Sequence, residues 1–586
     1  MNKYLIIIVL SFSFWGFSQE KKDSVFLHTS GQNIVDKNGE NVLLRGIGLG
    51  GHMLQEGYML KVPFSGQQYM IREHIEELIG KEKTDEFYEA WLKNHTRKID
   101  IDSMKSWGFN SVRLPMHYNL YTFPIEEEPV PGENTWLEKG FEMTDSLLSW
   151  ARDNEMYLIL DMHAAPGGQG HDVNISDRDP SKPSLWESEE NQQKLVALWK
   201  KLAERYKDEP WIGAYDIINE PNWSFEEGKH KHGIEDTLNA PLKKLMVEIT
   251  TAIREVDNNH IVIIEGNGWG NNYRGVLPPW DDNMVISFHK YWNYNTKESI
   301  QQFLDFREKY NTPIWLGETG ENSNVWFTDA ISLLEENNIG WAWWPLKKLG
   351  FNNPLEFKVN PGYQEILNYW NEKGEKPSEE KAYKAVMQLA ENTKLENNIF
   401  HADVIDAMIR QPHTNETMPF KDVTIGKEGI IYAANYDLGR LGYAYHDNNA
   451  ANYFISTGGE RQSWNNGRNY RNDGVDIFEM ENASGPEEVY VGDLEKGEWL
   501  QYTFQVEKQD NYKISILVNA ETSEGKIGLE VNSAETFDFN IPETAGEWKN
   551  IELKSIPLKA GENRFRILVE NGGFRLHSLK LIREKQ

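Results

Sequence analysis

The chain has no cysteine anywhere in its 586 residues. That excludes disulfides, a thiol nucleophile, thiolate metal ligands and lipid attachment through cysteine. Positive charge is also scarce: 61 Lys and Arg stand against 91 Asp and Glu, a formal net charge of −30. Nucleic acid and anionic membranes both select for a Lys/Arg footprint, so neither is an expected partner. No long apolar run follows Phe17, so no membrane span is expected. A Gly-rich dinucleotide fingerprint is missing after the first candidate strand, which argues against an open nucleotide-binding sheet.

What is present starts at the N-terminus. Met1-Asn2-Lys3 precedes an apolar stretch from Tyr4 to Phe17, closed by Ser18-Gln19-Glu20. One early Lys, a short apolar segment and a small residue at its end predict a signal peptide over residues 1–18 and a secreted or periplasmic mature chain. Without disulfides such a chain depends on its core, and 39% hydrophobic residues with 21 Trp supply one.

From about residue 41 to 346 short apolar runs alternate with longer amphipathic stretches, the pattern of repeated βα units. Eight strands are predicted at 43–49, 110–114, 157–161, 214–218, 261–265, 285–288, 313–317 and 340–344, with helices such as 191–206 and 242–256 between them. Eight such units predict a closed (β/α)₈ barrel, α/β in class, over residues 25–410. Residues 411–425 are polar with a Pro and are expected to form a linker. From 426 to 584 short alternating segments with Gly, Asn and Asp turns predict a β-sandwich.

Polar residues gather where the barrel strands end. Arg113 ends the second, His163 the third, Asn219-Glu220-Pro221 the fourth, His289 and Tyr291 the sixth, Glu318 the seventh, and Trp343-Trp344 the eighth. A barrel's C-terminal face is where catalytic side chains converge. Glycoside hydrolysis needs two carboxyl groups flanking the bond, and Glu220 and Glu318 are each the first acid beyond an apolar strand. Asp161 and His163 also have the look of half a metal site, with His289 as a further ligand, although no metal is expected. Trp343 and Trp344 are adjacent, so one should face a ligand and the other the core. Trp223, Trp269, Trp292 and Trp326 are candidate sugar platforms just beyond strand ends.

The run 213–221 with its Asn-Glu-Pro, together with Arg113, His163 in Leu-Asp-Met-His, His289-Lys290-Tyr291, Glu318 and the Trp-rich eighth strand, resembles glycoside hydrolase family 5 over residues 43–347. The resemblance implies Glu220 as acid/base and Glu318 as nucleophile of a retaining enzyme. It implies that Asn219 binds the sugar 2-hydroxyl, Tyr291 and Arg113 hold Glu318, His163 and His289 line the subsite, and Trp344 is its stacking platform. The Gly-rich 44–51 segment and the 163–169 loop resemble glucan-cleaving members, so a β-glucan is the expected polysaccharide. A β-mannanase, an exo-β-glucosidase or a catalytically silent polysaccharide-binding protein are the alternatives.

In the C-terminal region, Tyr436-Asp437, Tyr470 to Asp476 and Gly497 to Tyr502 resemble a carbohydrate-binding module of family 6. Its ligand candidates are Tyr470 and Trp548. Two Glu that bind structural calcium in that family are replaced by Tyr432 and Ala434, and Arg575 and His577 occupy the stretch where a sugar-binding Asn is usual. No cofactor is expected for the barrel.

Overall fold

The computed structural model describes residues 25–449, 467, 469–480, 488–522 and 524–584. The expected signal peptide lies outside them. Eight parallel strands form a closed barrel: β1 (Arg45–Gly48), β2 (Ser111–His117), β3 (Tyr157–Ala164), β4 (Ile212–Asp216), β5 (Ile261–Ile264), β6 (Met284–Lys290), β7 (Ile314–Gly320) and β8 (Gly340–Trp344). The ring closes where β8 pairs with β1, Trp341 opposite Arg45 and Trp343 opposite Ile47. All eight predicted strands are present. The fourth is displaced toward the N-terminus, so residues 217–220 leave the sheet before the acidic residue is reached.

Two-residue alternation decides what each strand gives to the inside. Val112, Leu114, Leu158, Leu160 and Met162 point outward into the layer between sheet and helices. Ile159, Ala214, Ile261, Ile263, Val285, Trp315 and Ala342 form a separate apolar layer at the lower end. Leu27 and Ile34, flanking and within the hairpin of His28–Ser30 and Asn33–Val35, complete that layer. Burying these two side chains is worth about 3–6 kcal/mol in all.

Helices cover the outside. Glu189–Tyr206 is started by Ser188, whose side chain accepts from the Asn191 amide, and it buries Leu195, Leu198, Trp199 and Leu202 at three- and four-residue spacing. One unit breaks the pattern: between β5 and β6 the only helical element is the four-residue turn Asn267–Gly270. Gln68–Ile79, Lys81–His95, Pro361–Trp370 and Glu379–Asn392 pack into a satellite cluster built on Phe87, Trp91, Tyr363 and Ile366. No described helix is long and apolar enough to cross a membrane.

The C-terminal region is a sandwich of two six-stranded sheets. The longest strands of one are Trp499–Val506 and Gly561–Asn571; those of the other are Asp510–Ala520, Lys549–Leu558 and Phe574–Arg583. The segment expected to be a linker is instead fastened at both ends. Gln411 is buried and takes a hydrogen bond from Thr328 of the barrel, while Met418 exchanges two backbone bonds with Leu438. One tie uses a polar side chain and the other backbone groups, neither of which composition distinguishes from a loose connection.

Candidate active site

Above the apolar layer, the same inward-facing positions turn polar. Arg113 is 1% exposed and sits among four carboxylates. Its guanidinium bonds Asp216 at 2.9 Å and Glu318 at 2.7 Å, and lies 3.3 Å from both Asp161 and Glu265. It also donates to Asn219 Oδ1 at 2.8 Å. Burying a guanidinium costs heavily unless it is paired, and here each of its three nitrogens meets at least one acceptor. Asp216 and Glu265 were not anticipated as members of the site, and Asp161, read only as half of a metal site, is a partner of Arg113 and His163.

Glu318 reaches the centre through an irregularity. By alternation it would follow Leu316 outward, but the β6–β7 register slips between Phe288 and His289, so His289 pairs with Glu318. Gly317 sits at the slip, and a Cβ there would run into Ser287 Oγ and crowd His289 and Trp315. Once turned inward, Glu318 accepts from Arg113 through one oxygen and from the Tyr291 hydroxyl at 2.7 Å through the other.

Glu220 follows β4 in left-handed backbone, φ 43°. Its amide donates to Glu265 at 2.7 Å, and its carboxyl meets Nδ1 of His289 at 2.6 Å. Burial pushes its pKa up to about 7, with His289 opposing and the nearby Glu318 and Glu265 assisting. Burial alone would discharge His289, but the charges of Glu265 and Glu220 outweigh it and hold the imidazole well above its ordinary value. One carboxyl oxygen of Glu220, one of Glu318 and a ring nitrogen of His289 all lie within 4.8 Å of one another. Three such donors are close enough to hold a cation, whereas Asp161 and His163 do not join His289 in any such group among the described residues.

His163 bonds Asp161 through Nδ1 at 2.8 Å and lies flat on Trp344, ring centres 5.0 Å apart. Burial works against the imidazolium, yet the Asp161 charge prevails and the pKa rises to about 10. Trp344 rests on two glycines: a Cβ at Gly48 or Gly50 would come within 2.7–2.8 Å of its ring. Trp343 points the other way, into Trp341, Phe327 and Trp326. The expected division between the adjacent tryptophans is therefore observed.

His163, Glu220, His289, Tyr291, Glu318 and Trp344 line a cavity of about 620 Å³, while Arg113 and Asn219 lie behind its wall. Glu56 and Tyr58, from the loop after β1, and Glu321, from the loop after β7, line it too. Glu56 is buried, and its burial raises the pKa to about 7. Tyr58 accepts from the Trp344 indole at 3.0 Å, and Glu321 is held by Lys348 at 2.5 Å. No strand periodicity pointed to Glu56 and Tyr58, because the path of the long loop after β1 is set by tertiary packing; Glu321 directly follows β7 in left-handed backbone, where alternation no longer applies. Of the four candidate platforms, Trp269 and Trp292 line the cavity. Trp223 is stacked under His171 at 4.0 Å. Trp326 is a correction: it is fully buried, with Lys290 4.6 Å above its ring, because the helix Asn324–Glu336 turns it inward. Glu220, Trp269, Trp292 and Glu321 all have positive φ, a concentration of backbone strain at one cavity.

The two sandwich candidates are not brought together. Tyr470 bonds Asn435 and meets the edge of Phe420, in the loop that contacts the barrel. Trp548 joins Tyr490 and His577. Arg575 lies 5.9 Å from the Tyr490 ring and lines a separate cavity of about 270 Å³ with Asp493 and Asn519.

Residues 72–350 match the family description "Cellulase (glycosyl hydrolase family 5)", and residues 471–581 match "Carbohydrate binding module (family 35)". The second match replaces the expected family 6. Tyr436, Asp437, Arg471 and Tyr502, which carried that resemblance, are all buried, so they mark a sandwich framework and not a ligand surface. Among curated proteins, a beta-xylosidase of Phanerodontia chrysosporium is 25% identical over 378 residues, 58% of this chain and 75% of that protein. Endoglucanase C of Acetivibrio thermocellus is 28% identical over 348 residues, 48% of this chain and 93% of that protein. A probable glucan 1,3-beta-glucosidase A of Aspergillus clavatus is 24% identical over 257 residues, 43% of this chain and 57% of that protein.

Proposed function

We propose, from the premise that the barrel is a glycosyl hydrolase family 5 domain and the protein an O-glycosyl hydrolase, that it cleaves a β-linked glucan with retention of configuration. The observation that carries this reading is the approach of the Glu220 and Glu318 carboxyl groups to within 4.8 Å, with Arg113 and Tyr291 on Glu318 and His289 on Glu220. Carboxyl groups about 5 Å apart leave no room for a water on the opposite sugar face, so one of them attacks the anomeric carbon itself.

In the first step a Glu318 oxygen bonds to the anomeric carbon while the glycosidic C–O bond breaks, and the proton on Glu220 passes to the leaving oxygen. A pKa raised to about 7 keeps a large share of Glu220 protonated up to neutral pH, where an ordinary carboxyl would be ionised. Forming the ester consumes the charge of Glu318, one of the charges that raises Glu220, so Glu220 becomes a carboxylate able to take a proton from water in the second step. Water attacks the anomeric carbon, Glu318 leaves, and both carboxyl groups return to their starting states. Trp344 offers the face on which the reacting sugar stacks, and Asn219 the group for its 2-hydroxyl.

A second reading is exo action on a chain end. Glu56 and Glu321 place two further carboxyl groups in the same cavity, suited to accepting hydroxyls of a terminal sugar. The sandwich would add polysaccharide affinity through Trp548 and the neighbouring cavity, and residues 1–18 would direct export.

The test is reducing-sugar release from mixed-linkage β-glucan, carboxymethylcellulose, laminarin, pustulan, glucomannan and xylan, beside Glu318→Gln. Activity on a glucan that vanishes in the variant supports the proposal, and product sizes separate endo from exo action. Activity confined to xylan or glucomannan would overturn the substrate assignment.

A further inference from the structure

Three consecutive sandwich residues, Arg471, Asn472 and Asp473, are buried against the barrel. Asn472 donates from Nδ2 to the Asn322 carbonyl at 2.8 Å and to Asn324 Oδ1 at 3.0 Å, while its own carbonyl accepts from the Asn324 amide at 2.9 Å. Asn324 returns a bond to Asp473 at 2.6 Å. Asp403, from the barrel-side helix Ala402–Ile409, accepts from the Asn472 amide at 2.8 Å and from Asn324 at 2.7 Å. On the sandwich side the Arg471 guanidinium lies 3.7 Å from the Tyr436 ring centre and pairs with Asp473 at 2.5 Å. The Asp473 carbonyl accepts from Tyr445.

The barrel residues gripped in this way are not remote from the chemistry. Asn322 directly follows Glu321, which lines the cavity in left-handed backbone and stands three residues after Glu318. Asn324 opens the helix whose Trp326 donates to the Asn293 carbonyl at 2.9 Å and accepts from Asn295 at 3.0 Å. Those bonds tie down the loop carrying Trp292 and Asn293, two further residues of the cavity wall. A module serving only as a tether requires no such fully buried polar network, and removing one partner from it leaves others unsatisfied. Strained backbone at a site persists only where its surroundings hold it.

We infer that the sandwich is a working part of the catalytic unit, with Asn472 a positioning residue that fixes the loop from Glu318 to Asn324 and, through Trp326, the loop after β6. The inference rests on the reading of Glu318 as nucleophile. It differs from polysaccharide tethering because it requires the sandwich even for a substrate of one sugar unit.

The experiment compares the full chain with Asn472→Ala and Asn472→Ser, each at a temperature well below its own unfolding. A 2-deoxy-2-fluoro-β-glycosyl fluoride, which is trapped on the nucleophile, gives both the number of active sites and the rate at which they react. Hydrogen exchange of the peptide spanning 318–326 is followed in parallel. The expected result is full trapping stoichiometry, a trapping rate at least tenfold lower, and faster exchange confined to the 318–326 and 290–295 loops. Trapping within twofold of wild type, or fewer sites reacting at an unchanged rate, overturns the inference. Wild type that is never trapped overturns the nucleophile reading instead, and the exchange data then decide the positioning role by themselves, with unchanged loop exchange in the variants counting against it.

Discussion

Nδ1 of His289 lies 2.6 Å from Oε1 of Glu220, so the carboxyl group proposed as the acid rests against a cation that draws its proton away. Burial wins, and Glu220 is pushed up to about 7. Because Glu220 serves as an acid only while protonated, kcat/KM for a poor leaving group should fall as pH rises through about 7. His289→Ala removes the opposing cation, so the falling limb should move to higher pH. A pH profile in which the limb stays in place or moves down would remove His289 from this role.

Glu318→Gln should lose on the order of 10⁴-fold or more in kcat for every substrate, since no covalent intermediate can form. Glu220→Ala should lose about 10²–10⁴-fold with a poor leaving group and far less with a dinitrophenyl glycoside, whose departure needs no proton. Equal losses for both leaving groups in Glu220→Ala would contradict the assignment.

Tyr291→Phe deletes the 2.7 Å hydrogen bond to Glu318. A bond to a charged group is worth about 1.5–3 kcal/mol, so kcat/KM should drop about 10- to 150-fold with little change in melting temperature. Steady-state kinetics beside a thermal melt checks this; a loss that follows unfolding would point to a packing role.

Gly317→Ala places a methyl group against Ser287, His289 and Trp315 at the register slip that turns Glu318 inward. Activity should fall by more than an order of magnitude, with a lower melting temperature as well. An active, equally stable variant would show that the slip tolerates a side chain.

Lys347 and Asp100 form a 2.6 Å ion pair with neither side chain exposed. Lys347→Met strands a buried carboxylate and should cost about 3–5 kcal/mol in urea unfolding. A change below about 1 kcal/mol would mean that the site readily takes up water.

The barrel was legible because the strands are apolar runs, most of them closed by a distinctive polar or aromatic residue, and the acidic pair because Asn219-Glu220-Pro221 and Glu318 stand outside charge runs. Asp216 was overlooked inside its own strand: in Ile-Gly-Ala-Tyr-Asp-Ile-Ile it reads as the polar end of an apolar segment. Counting alternate positions from Ala214 would have placed it inward beside Arg113. Glu56 and Tyr58 carried no comparable signal, since a long loop brings them to the cavity, and Glu321 sits just past its strand in left-handed backbone that no alternation predicts. The missing helix between β5 and β6 was hidden because a turn and a helix of similar length leave the same gap between apolar runs. Trp326 misled for the opposite reason: its position after a strand end was right, but helical phase directs it into the core.

Trp344 stands on the last strand and is seated on Gly48 and Gly50 beside the first. The cavity face that this tryptophan provides therefore straddles the seam where the ring is completed. Without the pairing of the last strand to the first, the tryptophan would lack this seat. Closing the ring and completing this wall of the cavity are thus one and the same contact.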